Sequence, residues 1–167
     1  KILQKDYTSM KSLPQRTIPI LLLLLSITTF SCKNSTTNSK IMTPAETDRY
    51  YSSLSAEKGM NTAFLAMFDS AGVKLSANRM PVEGLLAIRQ LLAEKSDSAF
   101  ILTWEPAFEK VAASGEVGYT YGIYKVTSKS STVEKTSEGT YCTIWQKNAN
   151  GEWKALLDTG NEGLGNK

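Results

Sequence analysis

The chain has 167 residues, 41% hydrophobic and 21% charged, which is enough for one buried core but not two. It contains no histidine, and this excludes a Ser-His-Asp triad, a Cys-His pair and the His-containing zinc sites. The formal charge of +3 belongs to the start of the chain: Lys1, Lys5, Lys11 and Arg16 precede Cys32 with only Asp6 to offset them, so 15 basic and 15 acidic residues follow it, with no basic stripe to meet a nucleic acid.

In chain order, the first element is the apolar run "LLLLLSITTFSC", Leu21 to Cys32. The stretch from Ile18 to Phe30 falls short of the roughly 20 apolar residues a spanning helix needs. Met10, Lys11 and Arg16 form a positive n-region ahead of it and small residues follow it, the pattern of a cleavable secretory signal. Residues 1–31 are therefore read as upstream residues and signal peptide, with Met10 as the expected start. "TTFSC" resembles the lipobox of bacterial lipoproteins, although Thr29 stands where leucine is usual. That resemblance implies a lipid on Cys32 and a membrane-anchored, periplasm-facing protein of the bacterial envelope. The alternative is an ordinary secretory signal with an incidental cysteine. With Cys32 acylated, Cys142 has no partner and no disulfide is expected. Residues 32–42, including "KNSTTNSKI", are polar and lack aromatics, as in a tether.

A single domain is expected over residues 43–161, followed by a short tail, 162–167. Its opening "TPAE" is a capping box, with Thr43 as N-cap, Pro44 at the first helical position and Glu46 three residues after the cap. Tyr50, Leu54, Met60, Phe64, Met67 and Phe68 then recur at near-helical spacing as a core stripe, and Gly59 is placed to bend the helix. "GVKLSANRMP" reads as a loop or short strand. "VEGLLAIRQLLAEK" reads as a second helix burying Leu85, Ile88, Leu91 and Leu92.

From Ala99 the period changes to two. "AFILTWEPAFEKVAAS", "EVGYTYGIYKVTS", "GTYCTIWQK" and "EWKALLD" are strands, separated by turns at Ser114-Gly115, a polar loop near Lys129 to Glu138, and Asn148 to Gly151. Helices followed by an antiparallel meander predict an α+β domain with helices on one face of a curved sheet. Tyr119 and Ile123 fall on the opposite face from Tyr124 and Val126. The outer face is therefore expected to meet something, most simply a second copy of the chain. "SGEVGYTYGIY" together with "GTYCTIWQKNANGEWK" resembles the SnoaL-like, ketosteroid-isomerase-like domains of the nuclear transport factor 2-like superfamily. The resemblance implies a cone-shaped α+β barrel, frequent dimerisation through the sheet, and a pocket between sheet and helices; it implies no particular reaction.

Strand register locates that pocket. A four-residue loop at Asn148 to Gly151 would pair Lys147 with Glu152, and hence Trp145 with Lys154, Thr143 with Leu156 and Tyr141 with Asp158 on a shared face. A two-residue turn at Gly115-Glu116 would pair Val111 with Thr120. Gly118, Thr120 and Gly122 are small enough for a cavity or for a sharp bend of the sheet, and Tyr124 continues their row. Trp104 joins the lining if Pro106 marks a bulge. The expected lining is thus Trp104, Val111, Thr120, Gly122, Tyr124, Thr143, Trp145 and Leu156, around Asp158 and Tyr141. Two functions follow: binding a small apolar or aromatic ligand without chemistry, or proton transfer with Asp158 as base and Tyr141 as hydrogen-bond donor, Glu105 being a further candidate acid. The alternatives are Asp158 as a structural acceptor for Tyr141 or for backbone near the "DTGN" turn, and a pure assembly module, which predicts a filled barrel with no cavity. No metal or cofactor is expected.

Overall fold

The computed structural model describes residues 42–94, 96–129 and 135–165. The signal peptide, Cys32 and the tether up to residue 41 lie outside these residues.

Helix α1 (Pro44–Lys58) starts at the predicted cap. Thr43 Oγ1 accepts from the Glu46 N–H at 3.2 Å, and Glu46 Oε2 accepts from the Thr43 N–H at 2.9 Å. Gly59 ends it at φ 92°, and α2 (Met60–Met67) begins at the next residue. A Cβ at position 59 would lie 2.6 Å from Asp97 Oδ2, so a side chain there would displace Asp97, in a backbone conformation that favours glycine. Asp97 also accepts from the Asn61 N–H at 2.8 Å, which caps α2 from a distant part of the chain.

The buried side of α1 differs from the expected stripe. Tyr50 is 55% exposed, and the inward residues are Tyr51 together with the polar Thr47, Asp48, Ser52 and Ser55. The reason is what this helix covers. Strand β3 (Phe100–Val111) lies at the edge of the sheet, where backbone groups lack a neighbouring strand. Ser55 donates to the Leu102 carbonyl at 2.7 Å, and Ser52 accepts from the Trp104 N–H at 2.8 Å. The polar face of α1 substitutes for a missing strand. Hydrophobic periodicity alone cannot reveal a face selected for hydrogen bonding.

Strand β1 (Phe68–Lys74) follows α2 directly, so Phe68 packs into the core from a strand rather than a helix. The short β2 (Val82–Glu83) leads into α3 (Leu85–Ala93), which buries Ile88 and Leu92 as expected. Strands β3, β4 (Val117–Ser128), β5 (Thr136–Lys147) and β6 (Trp153–Glu162) form the antiparallel meander. The six-stranded sheet runs β2-β1-β6-β5-β4-β3, with β1 parallel to β6. Phe64, Met67, Ile88, Trp104, Trp145 and Trp153 lead the core between helices and sheet.

Two registers differ from the sequence reading. Lys147 pairs with Trp153, because the Asn148 side chain accepts from the N–H groups of Asn150 and Glu152 and lengthens the loop by one residue. A bulge at Leu156 then adds another. Thr143 consequently faces Asp158, Tyr141 faces Gly160, and Trp145 faces Ala155. Since the total slip is two residues, Asp158 stays on the face of Tyr141. At the other hairpin the Gly115 N–H donates to the Ala112 carbonyl, so Gly115 closes a turn instead of opening one. Val111 therefore pairs with Gly118, and Thr120 with Glu109.

The bulge expected at Pro106 is present, with the register shifting between Pro106 and Phe108. It turns Trp104 and Pro106 inward and Phe108 outward. Across from it a Cβ at Gly122 would sit 2.0 Å from the Glu105 carbonyl oxygen. Of the two readings for the small residues of β4, the structure takes the sheet bend. On the outer face Phe108 stacks on Tyr121 at 5.5 Å, with Tyr119 and Ile123 exposed beside them.

Candidate functional site

A cavity of about 420 Å³ opens between the helices and the inner face of the sheet. Its apolar wall comes from Met60, Phe64 and Met67 of α2, Leu91 and Leu92 of α3, and Leu102 of β3. Trp104, Tyr124, Tyr141 and Asp158 also line it. These are the four predicted site residues that meet in one cavity.

The others lie elsewhere. Trp145 and Thr120 are fully buried, with the Trp145 indole N–H donating to Thr120 Oγ1 at 2.8 Å and Tyr51 stacked parallel to the indole at 6.3 Å. This end of the space between helices and sheet is filled. Thr143 stands behind Asp158, donating to its Oδ2 at 2.8 Å. Gly122 is packed against β3, Leu156 occupies the bulge, and Val111 is 37% exposed on the far part of β3. Glu105 is exposed and pairs with Arg49 at 2.6 Å.

Asp158 is 6% exposed and held from two sides. Its second partner is Lys74, whose ammonium donates to Asp158 Oδ1. Lys74 is brought there by the parallel pairing of β1 with β6, which sets it beside Asp158 in register. The same ammonium lies 5.1 Å from the centroid of the Phe64 ring. The sequence reading missed Lys74, since nothing local ties "GVKL" to a strand more than eighty residues away.

The expected Tyr141–Asp158 contact is replaced by another carboxylate. Asp48 of α1, 0% exposed, accepts from the Tyr141 hydroxyl at 2.8 Å on Oδ2 and from the Trp104 indole N–H on Oδ1. Burial raises its pKa to about 6, against the opposing effect of hydrogen bonds from Thr120, Tyr141 and Trp104. Burial and the Asp48 charge together push the Tyr141 hydroxyl well above its ordinary pKa. The available signal was polar: Asp48, Ser52 and Ser55 recur at helical spacing and mark one face. Burial also raises the Cys142 thiol, which lies half-buried on the outer side of β5.

At one side of the cavity Arg79 makes a two-pronged pair with Glu94, at 2.9 and 3.2 Å, and Glu162 adds a third carboxylate to the wall. Among the described residues no group of three Cys, Asp or Glu side chains is arranged to hold a metal ion.

No protein-family profile matches this chain, and no curated protein matches it in sequence. Solved structures do. A nuclear transport factor 2-like protein with a cystatin-like fold from Novosphingobium aromaticivorans superposes with a TM-score of 0.61 at 16% identity, over 73% of this chain and 80% of that one. A ketosteroid isomerase-like protein from Erwinia carotovora atroseptica gives 0.54 at 13% identity, over 72% and 98%. A protein from Catenulispora acidiphila solved in complex with S-DNPA gives 0.56 at 12% identity, over 70% and 87%. The fold of this chain is of the nuclear transport factor 2-like, ketosteroid isomerase-like kind.

Proposed function

We propose that this chain is a lipid-anchored protein of the bacterial envelope that binds a small apolar or aromatic molecule in the cavity beneath α2 and α3. The observation that carries the binding reading is the cavity itself, about 420 Å³, walled by Phe64, Trp104, Tyr124 and Tyr141. Aromatic walls with a few placed polar groups are what small-molecule sites use. That a protein of this fold carries S-DNPA is in keeping with it. Envelope anchoring rests on the sequence from Leu21 to Cys32, and pairing of two copies on the exposed Phe108, Tyr119, Tyr121 and Ile123.

Proton transfer by Asp158 and Tyr141 is the weaker reading. Both Asp158 oxygens already accept hydrogen bonds, from Lys74 and Thr143, and the Tyr141 proton is directed at Asp48. Acting as a base toward a bound molecule, Asp158 would have to share or give up these contacts.

The test is mass spectrometry of small molecules released by denaturing the protein purified from bacterial envelopes. An apolar or aromatic compound retained in near-equimolar amount is expected. Protein that yields none, and binds no aromatic probe in titration, would sink the proposal. Labelled palmitate incorporated into wild type but not into Cys32→Ser checks the anchor, and incorporation into both would refute it.

A further inference from the structure

We infer that Lys74 is the polar anchor of the cavity and that its ligand is an uncharged molecule carrying a hydrogen-bond acceptor. This rests on the binding reading above and names the ligand class that the site selects.

Lys74 is part of the cavity wall, with its side chain 15% exposed. An ammonium group has three N–H donors. Asp158 takes one and the Phe64 ring meets the cation, while among the described residues no second acceptor reaches the nitrogen. A ligand that displaces solvent from this ammonium must replace its hydrogen bonds, so the site favours one that presents a carbonyl, ether or hydroxyl oxygen there. The apolar wall of Phe64, Met67, Leu102 and Trp104 then covers the rest of that molecule.

Charge narrows the class. A ligand carboxylate at Lys74 would lie beside Asp158 at the same cation, and two carboxylates sharing one site cannot both stay ionised without penalty. Glu94 and Glu162 in the wall add to that repulsion, with Arg79 already engaged by Glu94. A cationic ligand end would meet Lys74 itself. An uncharged acceptor alone completes the ammonium without disturbing its ion pair.

The experiment compares three probes of nearly the same shape by calorimetric titration: acetylnaphthalene, its alkene isostere isopropenylnaphthalene, and naphthoate. Wild type should bind the ketone about tenfold or more tightly than either of the others, the factor expected for one hydrogen bond to a charged group. In Lys74→Met the preference over the alkene should fall to about threefold or less. Because that variant leaves Asp158 without its cation and can fail to fold, Lys74→Met/Asp158→Leu, which removes both charges, provides the same comparison once a thermal melt shows it folded.

Naphthoate binding as tightly as the ketone, or a ketone preference that survives both variants, overturns the anchor. If all three probes bind wild type alike, the pocket stands and the anchor falls. If none binds, the pocket reading fails and takes this inference with it.

Discussion

Asp48 on α1 and Asp158 on β6 are both enclosed carboxylates, 0% and 6% exposed, and both touch the inner side of the same sheet. They are compensated differently. Asp158 has a cation, Lys74, and one hydroxyl donor, Thr143, and it faces the cavity. Asp48 has only neutral donors and stands behind the cavity wall, where it joins Trp104 to Tyr141. The difference separates a site that presents polarity to a ligand from one that holds the wall in place. It also gives the molecule a pH response, because burial raises the Asp48 carboxyl, which has no counter-cation, to about 6.

The largest effect should come from removing the cation. Lys74→Met strips Asp158 of its charge partner and should lower unfolding free energy by about 3–5 kcal/mol, the cost of breaking a buried pair from one side. Urea denaturation measures it, and Lys74→Met/Asp158→Leu should recover most of the loss. A loss below about 1 kcal/mol would mean that the ion pair is effectively solvated and the contrast with Asp48 is one of geometry only.

Next is the pH response of Asp48. Its pKa rises from 3.8 to about 6 on folding, so between these values the folded state holds a proton that the unfolded chain has released. Stability therefore falls as pH rises through that window, by about 3 kcal/mol in total, and is flat on either side. Other carboxylates titrate nearby, and the informative quantity is the difference in unfolding free energy between wild type and Asp48→Asn. Wild type should lose ground to the variant across the window. A difference that stays constant with pH, or runs the other way, would show that the donors around Asp48 compensate its charge fully.

The smallest effects compare the two neutral donors. Tyr141→Phe removes one of the donors that stabilise ionised Asp48 and should cost about 1.5–3 kcal/mol at neutral pH, while moving the pH window upward. Thr143→Val removes a donor from a carboxylate that keeps its cation, and about 0.5–1.5 kcal/mol is expected. Equal losses in thermal melts would erase the distinction. A larger loss for Thr143→Val would reverse it.

The outcome for particular residues shows which kinds of information are local. "TPAE" specified a helix start because every partner of the capping box lies within four residues, and the hydrogen bonds form as read. Alternation placed Tyr141, Thr143 and Trp145 on one face and register counted from the Asn148 loop added Asp158, and the face survived a slip of two residues because side chains alternate with a period of two. Four predicted residues, Trp104, Tyr124, Tyr141 and Asp158, thus reach the cavity.

Pairings and partners were decided elsewhere. The length of the Asn148 loop and the bulge at Leu156 depend on where side-chain acceptors and packed neighbours fall, and each residue gained moves every later pairing. Which end of the space between helices and sheet is filled depends on Trp145, Thr120 and Tyr51 meeting from three different elements. Lys74 reaches Asp158 through a parallel strand pair 84 residues apart in sequence, and Asp48 reaches Tyr141 across 93. Caps, periods and faces are legible in the order of residues, since those forces act between near neighbours along the chain. Which buried carboxylate receives a cation is settled by the assembled fold, because it depends on which distant strand and helix the sheet brings alongside it.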